Sequence, residues 1–167
     1  MAITLIVEDG SIVANANTYV SLANARTRAE LLGVSISSTD ATADSQLAQA
    51  AYYVDNMYSF KGDKVSASQT MQWPRYNVLI DGFSFSSSAI PQQLIDAQIF
   101  AAAELESGNV FYPANDGKNI ASESVGSIRR SYFDNGKAGT QKSFTSVYAA
   151  IKPIITGNGN YHYKVLA

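Results

Sequence analysis

The stretch from Thr42 to Phe60 constrains the fold more than any other part of the chain. Apolar side chains recur there with the 3.6-residue repeat of one face of an α-helix. Gly62 follows where a C-terminal cap is expected. The sequence therefore predicts an amphipathic helix that must pack against other elements, through Leu47, Ala50, Ala51, Val54, Met57 and Tyr58.

Two further helices are predicted, one on each side of it in the chain. The first covers residues 18–32, capped by Asn17 or Thr18 and ended by Gly33. The third covers residues 91–108, starts with a proline and stops at a glycine. Its apolar stripe is wide, which predicts a central position: Leu94, Ile95, Ala97, Ile99, Ala101, Ala102 and Leu105.

The remaining segments lack a strong helical period. "ITLIVEDG" at residues 3–10 predicts a short strand or extended arm. Residues 63–89 predict an ordered loop, with a small hairpin at the turn dipeptide Asp81-Gly82.

The C-terminal third has a different character. "SESVGSIRRSYF" partly alternates and predicts a strand, and "NGNYHYKVLA" predicts a terminal strand or arm. Between them, "FTSVYAAIKPIITG" predicts a short helix that Pro153 kinks or restricts to two turns. The predicted fold class is mainly α. Residues 1–108 form a three-helix body, and residues 109–167 form a β-containing segment of the same single domain.

Composition excludes several classes of site. The chain has no cysteine, so disulfides and thiolate metal sites are excluded. Charged residues are only 16% and tyrosines number 10, which suits either partner-covered surfaces or a polar uncharged surface. No signal-peptide pattern or apolar run of about 18 residues occurs, so no membrane partner is expected.

Charge is polarised along the chain. The net charge is −4 over residues 1–60, −2 over 61–108 and +4 over 109–167. Chance is one explanation; the other is that a basic C-terminal part docks on an acidic neighbour.

The sequence contains few candidate catalytic residues. The sole histidine, His162, lies near the C-terminus without an evident nucleophile. Glu104 and Glu106 do not share a helix face, and Glu8 and Asp9 are expected to be solvated. We therefore expect no enzyme activity, no metal and no cofactor.

"QTMQWPRYNV" contains the only tryptophan, followed directly by Pro74. One interpretation makes Trp73 and Pro74 a core wedge that fixes the angle between the second and third helices, because a residue before proline avoids the α region. The alternative is a base-stacking surface for single-stranded DNA, formed by Trp73, Tyr76, Arg129 and Arg130. The net charge of −2 around Trp73 favours the wedge.

Several stretches together resemble a family of tailed-phage head–tail connector, or adaptor, proteins. They are "VEDGSIVANANTYVSLANA", "MQWPR", "IPQQLIDAQIFAAAEL", "VGSIRRSY" and "VYAAIKPII", in that order. The family is often labelled DnaT-like single-stranded DNA-binding protein. The resemblance covers nearly the whole chain, whereas the polar "DNGKAGTQKSF" departs from it.

This resemblance implies a structural virion protein in the phage neck, assembled in the host cytoplasm. It would form a homo-oligomeric ring, commonly dodecameric, beneath the portal protein. The ring would extend and seal the DNA channel, pass packaged DNA without specific binding and attach tail or neck proteins. Candidate interface residues lie in the basic C-terminal third: Arg129, Arg130, Tyr132, Tyr161 and Tyr163. The DnaT-like label implies the alternative, a single-stranded DNA-binding protein.

Overall fold

The computed structural model describes residues 3–112 and 144–157, together with the backbone of residues 122–125 and 128–131. The chain divides into two compact units. The first comprises Met1–Asn109 and Phe144–Ala167, and the second comprises Val110–Ser143.

Helices dominate the described part of the first unit. They are α1 (Leu22–Leu32), α2 (Asp40–Met57), α3 (Gln92–Glu106) and α4 (Thr145–Ile151), the last followed by a 3-10 turn, Lys152–Ile154. The other three helices all pack on α3, as its wide apolar stripe predicts. The core contains these fully buried side chains: Leu47, Tyr53, Val54, Leu94, Ile99, Val147, Ile151 and Ile154.

The predicted start of the first helix is wrong by four residues. Ser21 is the N-cap, and its side chain accepts a hydrogen bond from the Asn24 N–H at 3.3 Å. Neither Asn17 nor Thr18 caps the helix, because their side chains bind elsewhere. Asn17 accepts from the Ile6 N–H at 2.8 Å, and Thr18 donates to the Val20 carbonyl at 2.9 Å.

The other helix ends agree more closely with the sequence. Gly33 caps α1 in the left-handed region, with φ 69°. Pro91 lies one residue before α3, as its N-cap. However, α2 ends at Met57 with Tyr58 extended, so Gly62 is not its cap. Gly62 instead passes so close to the Tyr76 carbonyl that a side chain there would collide with it.

The β-structure consists of short antiparallel pairs. In the first unit β1 (Asp63–Lys64) pairs with β2 (Arg75–Tyr76), and β3 (Leu79–Ile80) pairs with β4 (Phe83–Ser84). The hairpin predicted at Asp81-Gly82 is confirmed. Both turn residues have positive φ, 52° and 86°, as the favoured two-residue hairpin turn requires.

Two strand predictions need correction. Residues 3–10 form no regular strand; Val7 makes a single parallel bridge to Thr18, so the extended-arm alternative fits. The single strand predicted over "SESVGSIRRSYF" is two strands of the second unit, β5 (Ser122–Val125) and β6 (Ile128–Ser131). The two residues between them are Gly-Ser, a spacing that is typical of a hairpin.

The last helix is shortened as Pro153 predicts, because α4 stops at Ile151 and the proline lies in the 3-10 turn. The strand or arm predicted over 158–167 lies outside the described residues. The fold is therefore helical in its body and mixed overall, with small antiparallel strand pairs.

Candidate functional site

The indole of Trp73 lies in the interior of the first unit. It is fully buried, and edge-to-face contacts join it to Phe60 and Phe85, with ring centroids 6.0 and 5.9 Å apart. Within the described part of the chain, its Nε1 has no hydrogen-bond acceptor. The peptide bond to Pro74 is cis. A side chain so enclosed has no face on which a nucleic-acid base could stack.

A carboxylate from α2 holds the backbone just before Trp73. Asp55 accepts a hydrogen bond from the Tyr19 hydroxyl at 2.6 Å and another from the Gln72 N–H at 3.0 Å. The Tyr19 hydroxyl oxygen in turn accepts from the Trp73 N–H at 3.3 Å. This network ties α2, the segment before α1 and the Trp73 loop together.

Burial dominates the electrostatics of this network. It raises the pKa of Asp55 to about 6, although hydrogen bonds from Tyr19 and Gln72 and the charges of Lys64 and Arg75 oppose the shift. Burial and the nearby Asp55 also raise the pKa of Tyr19 well above its ordinary value. Asp55 lines a surface cavity of about 350 Å³, so protons can reach it.

Most N–H donors of the Arg75 guanidinium bind oxygen atoms of the protein itself. Its Nε donates to the Lys61 carbonyl at 2.8 Å and its Nη2 to the Gly62 carbonyl at 2.6 Å. Its Nη1 bonds the carbonyl and side-chain oxygens of Gln72 at 3.2 and 3.3 Å. Burial lowers the pKa of Arg75. The guanidinium thus binds the Trp73 loop to the two residues that precede β1, and it keeps few N–H donors for a phosphate.

Two other buried polar side chains organise the N-terminal segment. Glu8, expected to be solvated, is 1% exposed and accepts N–H bonds from Gly10, Ile12 and Val13. That prediction was wrong because Glu8 closes its own loop rather than facing water. Gln98 of α3 accepts from the Tyr19 N–H and donates to the Thr18 hydroxyl and to a carbonyl of α2.

The candidate DNA contacts fall in both units. Trp73 and Tyr76 belong to the first unit, where Tyr76 is 43% exposed on β2. Arg129 and Arg130 lie on β6 of the second unit, opposite Ser124 and Glu123 in the register. Three candidate interface residues lie outside the described residues: Tyr132, Tyr161 and Tyr163.

The hairpin at residues 79–84, the apical hairpin, is a surface that the sequence did not single out as functional. Phe83 is 79% exposed and Leu79 is 56% exposed, although both are large and apolar. The only signal in the sequence was Asp81-Gly82 between apolar residues, which predicts the turn but not its exposure. Leu79 pairs with Ser84 and Ile80 pairs with Phe83, so Leu79 and Phe83 project from opposite faces of the hairpin.

A second exposed surface is a groove beside α1, the N-terminal groove, with a volume of about 600 Å³. Its wall includes Leu31, which is 74% exposed. The lining also contains four polar uncharged side chains, two charged ones and further apolar ones: Ser21, Asn24, Thr27, Gln92, Asp9, Arg28, Val7, Tyr19, Val20 and Ile95.

Metal sites and membrane-spanning helices were also sought in the described part of the chain. No group of three or more His, Cys, Asp or Glu side chains lies close enough there to hold a metal ion. None of the helices described is both long and apolar enough to cross a membrane.

Comparison with known proteins places the chain in one family. No curated protein and no solved structure matches it significantly. A family profile, however, matches residues 3–166, which is almost the entire sequence. The chain therefore belongs to the family described as "Putative DnaT-like ssDNA binding protein".

Proposed function

We propose that the protein is a structural, non-enzymatic component of a tailed-phage neck. In this role it forms a homo-oligomeric ring beneath the portal, extends and seals the DNA channel, and gives tail or neck proteins their attachment surface. It acts in the virion after assembly in the host cytoplasm. The proposal combines the sequence resemblance with the way in which the protein uses its aromatic residues.

One observation carries this proposal: the aromatic and basic side chains around Trp73 make their contacts inside the protein. Trp73 is fully buried, and the guanidinium of Arg75 donates its hydrogen bonds to backbone carbonyls. The two most exposed of the large apolar side chains described, Phe83 at 79% and Leu31 at 74%, lie on the apical hairpin and in the N-terminal groove instead. Such surfaces suit protein–protein contact better than binding of a polyanion.

The charge distribution supports the same role. Residues 1–60 carry a net charge of −4, and no excess of cations is found before residue 109. An acidic channel wall would let DNA slide past, since affinity for DNA grows with the number of phosphates that cations neutralise.

Native mass spectrometry and negative-stain imaging test the proposal, with and without purified portal protein. A ring that forms alone or on the portal is the expected result. A chain that stays monomeric and ignores the portal over the accessible concentration range would contradict it.

Single-stranded DNA binding is the second candidate, favoured by the description of the family. With Trp73 enclosed, the contacts left for it are Tyr76, Arg129 and Arg130. Fluorescence anisotropy with a labelled oligothymidine across a salt series tests this function. Stacking on Tyr76 predicts an affinity loss of about tenfold or more in Tyr76→Ala. Phosphate contacts predict a shallower salt dependence in Arg129→Ala/Arg130→Ala.

A further inference from the structure

The cavity of about 350 Å³ beside Asp55 opens where α2, the segment before α1 and the Trp73 loop meet. Four residues of α2 form one of its walls: Ala48, Tyr52, Asp55 and Asn56. They are three or four residues apart, so they lie on the same side of the helix. The Tyr52 ring is 64% exposed, and the volume of the cavity falls within the range of small-molecule sites.

The carboxylate of Asp55 has no cation paired with it. Its Oδ1 accepts a hydrogen bond from the Tyr19 hydroxyl and its Oδ2 accepts one from the Gln72 N–H, and both donors are neutral. The charges of Lys64 and Arg75 oppose the rise in its pKa, but neither residue forms an ion pair with it within the described part of the chain. An ionised carboxylate that is partly buried without a paired cation is costly, and a cation that enters the cavity lowers this cost.

The acceptors in the cavity favour an ammonium group over a guanidinium. Both Asp55 oxygens already accept one hydrogen bond, so the planar fork of a guanidinium would compete with Tyr19 and Gln72. An ammonium group is compact and needs one lone pair from each acceptor. Asn56 supplies a second acceptor, because its Nδ2 donates to the Tyr52 carbonyl at 2.7 Å while its Oδ1 receives no hydrogen bond from the described residues.

We propose that this cavity binds an alkylammonium group, with the charge between the Asp55 carboxylate and the Asn56 Oδ1 and the alkyl stem along the Tyr52 ring. An aromatic face attracts both a cation and the methylene groups that carry it. Free amines and the lysine side chains of other proteins both present this group. The site does not depend on ring formation, so it stands apart from the neck role.

Binding should depend on pH, because the ammonium group pairs with the ionised form of Asp55, whose pKa is about 6. Tyr19, Lys64 and Arg75 are the other ionisable groups that act on this carboxylate, and none of these residue types titrates between about pH 5 and 7. Affinity should therefore be about tenfold weaker at pH 5 than at pH 7, in proportion to the ionised fraction of Asp55.

A titration of the protein with n-butylammonium chloride, followed by NMR at constant ionic strength, tests the site. The expected result is a saturable shift of amide signals confined to the residues around the cavity, with a dissociation constant on the order of 1 mM at pH 7. The neutral control is 1-butanol, which has the same length without the charge and should not bind. Shifts spread over the acidic surface, no saturation, or equal binding of 1-butanol would overturn the proposal.

Two variants test the assigned contacts. Asp55→Asn should weaken binding about tenfold or more and remove its pH dependence, since the charged acceptor is lost. The matched control is Asp44→Asn, the same change on the same helix but outside the cavity, which should bind as wild type does. Tyr52→Ser removes an exposed ring, so the fold tolerates it, and should weaken binding about two- to fivefold. Equal losses in Asp55→Asn and Asp44→Asn, or unchanged affinity in Tyr52→Ser, would contradict the assignment.

The source of the ammonium group is identified with a second probe, Nα-acetyl-lysine methylamide, which carries the same group on a peptide backbone. Binding as tight as that of n-butylammonium supports the proposal with a lysine side chain of another protein as the ligand. Binding of n-butylammonium alone supports it with a small free amine as the ligand. If neither probe binds, the cavity is not an ammonium site.

Discussion

The Trp73 loop and the apical hairpin lie ten residues apart in the same connection between α2 and α3, yet one is core and the other is surface. Trp73 is fully buried, whereas Phe83 is 79% exposed. Both segments contain an aromatic residue next to a turn-forming residue, so aromatic content does not separate them.

Their polar neighbours make the difference. Around Trp73, the hydroxyl of Tyr19, the carboxylate of Asp55 and the guanidinium of Arg75 satisfy backbone groups that would otherwise be buried without partners. The apical hairpin satisfies its backbone through its own two-residue turn and through the Phe85 N–H to the Val78 carbonyl, at 2.9 Å. A loop can enter the interior only where its backbone finds such partners.

The largest expected effect comes from removing the buried indole. Trp73→Ala should lower the free energy of unfolding by about 3–5 kcal/mol, because it leaves a cavity between Phe60 and Phe85. Urea denaturation followed by circular dichroism measures this change. A variant of unchanged stability that no longer bound single-stranded DNA would restore the base-stacking interpretation of this loop.

Asp55 gives the Trp73 loop a pH dependence. Its pKa is raised from 3.8 to about 6 in the folded protein, so the folded state holds this proton more tightly than the unfolded state. Stability should therefore fall as pH rises from about 4 to about 6, by up to about 3 kcal/mol from this group. Unfolding free energies measured across this range, for wild type and Asp55→Asn, isolate the contribution.

The difference between the two proteins should change across that window and stay flat above it. Asp81→Asn is the matched control, because Asp81 is exposed at the hairpin turn and asparagine also accepts positive φ. If Asp55→Asn and Asp81→Asn gave the same profile as wild type, the buried carboxylate would have no part in holding the loop.

Substitution of Arg75 by lysine separates the effect of hydrogen-bond geometry on stability from the effect of the positive charge. Arg75→Lys keeps the cation but cannot bond the Lys61, Gly62 and Gln72 carbonyls together, so we expect a loss of about 1–2 kcal/mol. The measurement is again urea denaturation. An unchanged midpoint in Arg75→Lys would mean that charge alone suffices at this position.

The sequence predicts the helices better than the networks between them. The period of Leu47, Ala51 and Val54 predicts α2, because one helical face must be apolar wherever it packs. Asp81-Gly82 predicts a turn because the favoured two-residue hairpin turn needs positive φ at both positions. Few residue types other than glycine, asparagine and aspartate adopt such φ values. These are local rules, and local patterns in the sequence are enough to apply them.

The partners of Asp55 and Gln98 were not predictable in this way. Asp55 bonds Tyr19, 36 residues away, and Gln98 bonds Thr18, 80 residues away. A weak signal did exist, since Asp55 and Gln98 both adjoin the apolar faces of their helices. A polar residue in such a position indicates a buried hydrogen bond, but only the packed structure supplies the partner.

The smallest effect on stability, and the sharpest contrast with Trp73, is expected at the hairpin. Phe83→Ser should change the free energy of unfolding by no more than about 0.5 kcal/mol, because the side chain has few contacts to lose within its own chain. If the hairpin joins neighbouring copies, the same substitution should shift the oligomer–monomer equilibrium toward monomer in sedimentation velocity. Tyr52→Ser is the matched control, because it also removes an exposed aromatic side chain, 64% exposed, but lies outside the hairpin and the N-terminal groove. A large loss of stability in Phe83→Ser would show that the hairpin belongs to the core, which would remove the distinction between the two halves of this connection.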